Sequence, residues 1–251
     1  MLARLYELAN GSKHLTGSPL GIVSAGSEEL EFPRFIFNGP RGGGDAVKFG
    51  LFAGIHGDEP SGVQALVRLV EQLVGRPEMA EGYRLFIYPA CNPSGLLDAT
   101  RFSRSGKDLN REFWKDSTEI EVRLLEKEIR AEKFHGLISL HEDDTSPGMY
   151  GFVRGAVLSK GLLEPALKAA ESVLPRNNSA IIDGFAADRG MISQCYDGIL
   201  TSPPELQPAP FEIILETPHA APVAQQVEAV VRAVTSILVE YQKLLAFAAN
   251  L

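Results

Sequence analysis

The chain has 251 residues, of which 45% are apolar and 22% are charged, and its formal net charge is −8. This length and apolar content suffice for one large buried core and exclude a fibrous or a disordered chain. The acidic balance argues against nucleic acid or an anionic membrane as a general partner, because such binders need a basic surface.

Four short apolar runs are predicted as buried strands: residues 46–55, 83–90, 134–140 and 211–215. Apolar residues at helical spacing behind Pro60 predict a helix between the first two strands. Asp116 and Glu119 have the spacing of a capping box ahead of another helix, and the pattern from 227 to 245 predicts a long final helix. The Gly-rich stretch at 38–45 lacks the Gly-Lys-Ser/Thr of a phosphate loop and is predicted as a surface turn.

Strands that alternate with helices, without an internal repeat or a linker, predict one α/β domain over residues 1–251. Its core is expected to be a mixed β-sheet flanked by helices. The N-terminus lacks a continuous apolar signal region, and no window of the chain approaches eighteen apolar residues. The two cysteines, Cys91 and Cys195, provide no disulfide framework. We therefore expect a cytoplasmic protein without a membrane partner, whose oligomeric state stays open.

A polar cluster follows each predicted strand. The four clusters are HGDE at 56–59, NPSG at 92–95, HEDD at 141–144 and ETP at 216–218. In open α/β sheets, ligands bind at the carboxyl ends of the strands. The clusters are therefore expected to converge on one site.

His56, Glu59 and His141 could form a metal site. Two imidazoles and one carboxylate with an open fourth position are a common catalytic zinc site. The alternative is structural: Asp58 or Glu59 caps the helix, and His56 is an ordinary loop residue.

The segment TRFSRSGKDLNREF at 100–113 concentrates basic residues in an acidic protein. Guanidinium groups bind carboxylates in a bidentate manner and stabilise developing oxyanions. The segment carries Arg101, Arg104, Arg111 and Asn110, and two arginines with an asparagine suit a substrate that has a terminal carboxylate beside a polarised carbonyl. A solvated basic loop would leave Asp108 and Asn110 unexplained.

In this order, the motifs HGDE, NPSG…TR…DLNR, LHE and LETP resemble those of the zinc carboxypeptidases and their relatives, the succinylglutamate desuccinylase and aspartoacylase group. The resemblance spans residues 46–220. It implies a zinc carboxypeptidase-like fold and one Zn²⁺ per chain, held by His56, Glu59 and His141. Asp108 matches the acid that orients the first ligand histidine.

The same resemblance implies the catalytic and substrate-binding roles. Glu216 matches the general base that takes a proton from zinc-bound water and passes it to the leaving nitrogen. Arg101 matches the residue that stabilises the oxyanion, and Arg104 is the alternative because loop length varies here. Asn110 and Arg111 match the pair that holds the substrate carboxylate.

Several residues keep alternatives open. Glu142 is a rival base, although neighbouring side chains of an extended strand point to opposite faces. Glu216 and His219 have an E-x-x-H spacing, but Pro218 prevents the helix that would align them on a second metal. The stretch GMISQCYD resembles the segment that lines the substrate side-chain pocket, which would place Ile192 near it. The residues that could lie near the scissile bond are Tyr150, Phe185 and Tyr196.

The favoured activity is carboxypeptidase-like hydrolysis of an amide beside a carboxylate-bearing residue of a small peptide. The alternative enzyme is an N-acyl amino-acid deacylase of the desuccinylase or aspartoacylase kind. Those relatives usually carry a further C-terminal domain, and the 35 residues after Glu216 (251 − 216) favour the peptidase. A non-catalytic zinc or peptide binder would need neither Glu216 nor Arg101.

Overall fold

The computed structural model describes residues 2–26, 28–40, 46–155 and 157–248. Residues 41–45 of the Gly-rich stretch, predicted as a surface turn, lie outside these ranges. Within the described ranges, no helix combines the length and the apolar character needed to cross a membrane.

The described residues form ten strands that join in one mixed sheet. In chain order the strands are β1 (Leu15–Ala25), β2 (Glu28–Asn38), β3 (Val47–Ala53), β4 (Tyr83–Tyr88), β5 (Gly136–Asp143), β6 (Tyr150–Gly155), β7 (Ile181–Ile182), β8 (Phe185–Asp188), β9 (Met191–Ile192) and β10 (Phe211–Pro218). Their spatial order is β1-β2-β4-β3-β5-β10-β6-β9-β8-β7.

Six α-helices accompany the sheet in the described part of the chain. They are α1 (Leu2–Gly11), α2 (Pro60–Gly75), α3 (Pro93–Asp98), α4 (Ile120–Glu132), α5 (Leu158–Ala170) and α6 (Val223–Ala248). Two 3₁₀ turns, Pro77–Ala80 and Leu109–Arg111, complete the helical elements.

The centre of the sheet is parallel. Strands β4, β3, β5 and β10 run in the same direction, whereas β2 and β6 pair antiparallel with the two ends of this group. A parallel centre brings the carboxyl ends of these strands to one edge. The mixed sheet flanked by helices that the sequence predicts is therefore confirmed.

The two faces of the sheet pack against different helices, as the side chains of β5 show. Ile138 and Leu140 point into the larger core, which the sheet forms with α2, α5 and α6. Leu137 points to the opposite face, where it shares a second core with residues of α4. Because side chains alternate along a strand, Ser139 and His141 lie on the same face as Leu137.

Some local predictions were wrong. The helix-capping box at Asp116 does not form: Glu119 is the N-cap of α4 without a side-chain cap bond, and Asp116 has a left-handed backbone with φ of 53°. Instead, Ser103 and Ser105 donate their hydroxyls to Glu119. The predicted ends of two strands, at residues 140 and 215, were also too early. Strands β5 and β10 continue through His141 and Glu216 as a regular parallel ladder.

Candidate metal centre and its pocket

A tight turn between β3 and α2 carries the first two candidate ligands. Gly57 lies so close to α3 that an added Cβ would be 1.9 Å from the carbonyl carbon of Gly95, so this position requires glycine. Pro60 begins α2, which favours the helix immediately after the turn. His56 and Glu59 are therefore held in place by backbone packing on both sides.

His56, Glu59 and His141 meet in a buried group whose potential ligand atoms lie within 4.8 Å of one another. Nδ1 of His56 is 2.6 Å from Oε1 of Glu59, and Nδ1 of His141 is 3.1 Å from Oε2 of the same carboxylate. Two imidazole nitrogens and a carboxylate that face one point are a donor set that fits Zn²⁺.

The other ring nitrogen of each histidine has its own partner. Nε2 of His56 is 3.2 Å from Oδ1 of Asp108. Nε2 of His141 is 3.0 Å from the hydroxyl of Ser139, which lies two residues earlier on β5. Such partners fix the orientation of a ligand ring. Ser139 was not predicted from the sequence, although its i−2 position on the same strand face is a usable signal.

Electrostatics in the group favour an ionised Glu59. Burial opposes ionisation, but His141 and His56 lower the pKa of Glu59 to about 2. Burial lowers the pKa of His141, which favours the neutral ring that a metal ligand needs. Burial also acts to lower the pKa of His56, but the neighbouring Asp108 and Glu59 carboxylates raise it overall.

Glu216 lies half-buried in the wall of the same pocket. On the sheet it is directly beside His141 of β5 and opposite Tyr150 of β6. Burial raises the pKa of Glu216 well above its ordinary value, and the carboxylates of Glu59 and Asp143 raise it further. A carboxylate with a raised pKa is a better proton acceptor than one in water.

Arg101 and Arg104 lie in different places. Arg101 lines the pocket, makes two hydrogen bonds to Oδ2 of Asp108 at 3.0 and 3.2 Å, and extends Nη1 to 3.6 Å from Glu59. Arg104 instead pairs with Asp98 and Glu28 on the surface. Arg101, and not Arg104, is therefore brought to the group of candidate ligands.

Asn110 and Arg111 belong to the 3₁₀ turn Leu109–Arg111 and line the pocket. Oδ1 of Asn110 accepts a hydrogen bond from the backbone N–H of Leu200 at 2.8 Å, so its Nδ2 group is the one that it can offer to a ligand. The guanidinium of Arg111 stacks over the ring of Tyr196, 4.4 Å from its centroid. Tyr196 in turn donates its hydroxyl to Oδ1 of Asp183 at 3.0 Å.

Glu142 has a structural function in addition to lining the pocket. Its Oε1 accepts a hydrogen bond from the backbone N–H of Ser61 at 2.7 Å, which places a carboxylate at the N-terminus of α2. Its Oε2 is 2.8 Å from Nδ1 of His219, a half-exposed histidine. Neither residue belongs to the His56, Glu59 and His141 group.

Three aspartates in the pocket wall had no role assigned from the sequence. Asp143 and Asp144 belong to the HEDD cluster that was expected at the site, whereas Asp183 was not predicted there. Asp143 accepts hydrogen bonds from Tyr150 at 2.7 Å and from the backbone N–H of Thr145 at 2.6 Å. Asp183 lies in the two-residue turn between β7 and β8, where both Asp183 and Gly184 have positive φ. Asp-Gly between apolar residues is a strong hairpin signal, so this turn could have been found from the sequence.

The aromatic candidates and Ile192 are distributed around the pocket. Tyr150 and Tyr196 line it, whereas Phe185 packs edge-on against Tyr196. Ile192 is fully buried and pairs with Phe152 in the sheet. Among the described residues, Phe152 forms the pocket wall at this level and Ile192 lies behind it.

The fold recurs in solved structures of low sequence identity. A candidate metallopeptidase from Shewanella denitrificans has a TM-score of 0.78 and 21% identity, with 95% of this chain and 88% of that chain covered. A metallo-carboxypeptidase from Burkholderia cenocepacia has a TM-score of 0.75 and 17% identity, with coverage of 96% and 68%. A metallo-carboxypeptidase from Pseudomonas aeruginosa, in complex with (2-guanidinoethylmercapto)succinic acid, has a TM-score of 0.66 and 16% identity, with coverage of 97% and 68%.

The family is shown by the sequence itself. Residues 46–171 match the model of the succinylglutamate desuccinylase/aspartoacylase catalytic domain. No curated protein matches the chain. The matched range contains all three candidate ligands and ends before Glu216. The chain therefore belongs to the succinylglutamate desuccinylase/aspartoacylase catalytic-domain family.

Proposed function

We propose that this protein is a zinc-dependent hydrolase that cleaves an amide bond next to a carboxylate-bearing residue. The observation that carries the proposal is the position of Glu216 beside the buried group of His56, Glu59 and His141. A base and a metal site at one edge of the sheet are the two parts that metal-assisted amide hydrolysis requires.

The metal centre would use Nδ1 of His56, a carboxylate oxygen of Glu59 and Nδ1 of His141. When bound there, Zn²⁺ acts as a Lewis acid that polarises the scissile carbonyl and makes water more acidic. Asp108 and the hydroxyl of Ser139 hold the two rings with Nδ1 toward the centre, through the hydrogen bonds to Nε2.

Glu216 moves the proton in this proposal. Its carboxylate accepts a proton from the attacking water and later donates it to the leaving nitrogen, so one group is both base and acid. Arg101 donates N–H groups to the carbonyl oxygen as negative charge develops on it. The bond to Asp108 holds the guanidinium of Arg101 in position before the substrate arrives.

Arg111 and Asn110 hold the substrate carboxylate. The guanidinium of Arg111 is fixed by its stacking on Tyr196, and Nδ2 of Asn110 adds a second donor. The neighbour from Pseudomonas aeruginosa binds a succinic acid derivative, so a carboxylate ligand is compatible with this fold.

A carboxypeptidase-like activity on a small peptide is the favoured form of the reaction. Asp143, Asp144 and Asp183 add three carboxyl groups to the pocket, and Arg101 already pairs with Asp108. A succinyl or aspartyl group would bring a second carboxylate into this acidic pocket and meet repulsion. The deacylase remains the second candidate because the family model is that of desuccinylases and aspartoacylases.

The test compares the two substrate classes on the same protein. Peptides with a free carboxyl terminus and N-acyl amino acids are assayed with zinc-loaded protein, with and without a chelator. We expect peptide hydrolysis that the chelator abolishes and that added Zn²⁺ restores. Hydrolysis of N-acyl amino acids alone would move the protein to the deacylases, and chelator-resistant turnover would contradict the metal mechanism.

A further inference from the structure

Three rows of side chains cross the pocket face of the sheet, one residue each from β5, β10 and β6. From the candidate metal ligands outward they are His141, Glu216 and Tyr150, then Ser139, Ile214 and Phe152, then Leu137, Glu212 and Arg154. Rows that are two residues apart along a strand are separated by about 7 Å. The middle row therefore stands immediately next to the proposed reaction centre.

The middle row forms a wall between two cavities. Phe152 and Ile214, together with Cys195 and Ile199, line both the pocket and a second cavity. The pocket has a volume of about 170 Å³, whereas the second cavity has about 10 Å³. A volume of that size holds about one water molecule, so no side chain of a substrate can extend into it.

Phe152 is the largest member of the wall, and packing holds it in place. The residue is only 4% exposed. Its ring packs edge-on against Tyr150, with centroids 5.7 Å apart, and against Phe185 at 6.0 Å. Ile192 is the residue of β9 that pairs with Phe152 in the sheet. Rotation of the ring out of the wall would disrupt these contacts.

The polar groups of the pocket bind other parts of the substrate, so the apolar wall is the surface that remains for the substrate side chain. Arg111 and Asn110 receive the carboxylate in the proposed function, and Arg101 receives the carbonyl oxygen. The side chain of the carboxylate-bearing residue then points toward the apolar surface of Phe152 and Ile214. A methyl group fits such a shallow wall, whereas a long or branched side chain meets the ring of Phe152.

We propose that Phe152, together with Ile214, restricts the enzyme to substrates whose carboxylate-bearing residue has a small side chain, such as glycine, alanine or serine. This inference rests on the proposed function, since it assigns the substrate class of the same site. Phe152 is a specificity-determining residue in this view, and it takes no part in proton transfer.

The test uses a series of substrates that differ only in the carboxylate-bearing residue: glycine, alanine, leucine and phenylalanine. We expect kcat/KM of the wild-type protein to be at least about tenfold higher for alanine than for leucine or phenylalanine. Phe152→Ala should lower this ratio at least tenfold by opening the wall toward the second cavity. Phe152→Leu, which keeps an apolar side chain if the smaller variant does not fold, should lower it in the same direction.

Ile182→Val is the matched control. Ile182 belongs to the same apolar cluster as Phe152 but does not line the pocket among the described residues, so the ratio should stay unchanged. Equal wild-type rates for alanine and phenylalanine, or an unchanged ratio in folded Phe152 variants, would overturn the inference while leaving the proposed function intact. Absence of hydrolysis across the whole series with zinc bound would overturn the proposed function and this inference with it.

Discussion

Glu216 and His141 are directly adjacent on the parallel strands β10 and β5. Side chains of paired residues point to the same face, so the candidate base and a candidate ligand share one edge of the sheet. The arrangement is fixed by the register of the ladder, which the apolar residues on the opposite face, such as Ile138 and Ile213, stabilise. The functional geometry is therefore a direct consequence of how the core packs.

The first prediction concerns Glu216. Glu216→Gln should retain the fold and the metal but lose about a hundred- to ten-thousandfold in kcat, because the amide cannot accept the proton of water. The measurement is steady-state hydrolysis together with zinc content. Glu142→Gln is the control, since glutamine can still accept from Ser61, and it should keep most of the activity. The reverse ranking of the two variants would move the base to Glu142.

The second prediction concerns the metal. Purified protein should hold about one zinc per chain, and His56→Ala or His141→Ala should lose it, since each removes one of the three donors. Elemental analysis after dialysis measures this. His14→Ala is the control, because His14 stacks on Phe37 away from the pocket and should leave zinc unchanged. Full zinc in both ligand variants would disprove the assignment.

The third prediction separates the two pocket arginines. Arg111→Ala should mainly raise KM, because a contact to the substrate carboxylate is equal in the ground state and the transition state. Arg101→Ala should mainly lower kcat, by about a hundred- to a thousandfold, because charge on the carbonyl oxygen develops only in the transition state. Arg104→Ala should change neither constant, since Arg104 pairs with surface carboxylates. The same pattern of kinetic changes in Arg101→Ala and Arg111→Ala would contradict this division.

The fourth prediction concerns Ser139. Ser139→Ala should weaken zinc affinity by about ten- to a hundredfold, because His141 loses the partner that holds its Nδ1 toward the centre. Competition with a chromogenic chelator gives the affinity without relying on activity. The surface variant Ser172→Ala serves as the reference and should bind zinc as the wild type does. Unchanged affinity in Ser139→Ala would mean that strand packing alone orients the ring.

Much of the fold was accessible from the sequence because buried parallel strands are continuous apolar runs. The central strands β3, β4, β5 and β10 were all found in this way. The hairpin of β1 and β2 was missed, since Pro33 and the charged residues around it interrupt the pattern in β2. The short strands β7 and β9 have two residues each, which is too short for any periodicity.

The candidate site, like the fold, could be predicted from the sequence only in part. His56, Glu59, His141 and Glu216 could be placed together because each lies at a strand end of the parallel centre. Asp183 and the stacking of Arg111 on Tyr196 could not, since they depend on how loops far apart in sequence fold over the sheet. The position of Ile192 behind Phe152 likewise depends on the pairing of β9 with β6, which no local pattern encodes.

The last prediction concerns Glu212, a buried carboxyl that the proposed mechanism does not use. Burial raises its pKa above the ordinary value of 4.5, although Ser202 donates to it from its hydroxyl and its backbone N–H. A raised pKa in the folded state means that the folded protein prefers the protonated form. The contribution of Glu212 to the free energy of unfolding is therefore greatest below pH 4.5 and falls as pH rises through the raised pKa.

Glu212→Gln should remove the decrease in the free energy of unfolding that ionised Glu212 causes, because glutamine stays neutral and can still accept hydrogen bonds from Ser202. The free energy of unfolding of the variant, minus that of the wild type, should therefore become more positive between about pH 4 and pH 7, as measured by urea unfolding. Glu205→Gln provides a control, since the backbone N–H of Glu205 and the side chain of Arg130 lower the pKa of that exposed carboxyl below 4.5. Its difference should fall only as pH rises toward 4.5 and should stay flat from there to about pH 7. A difference for Glu212→Gln that stays flat or falls with pH would show that Arg154, whose Nε lies 3.6 Å from Oε2, compensates fully for the burial of the charge.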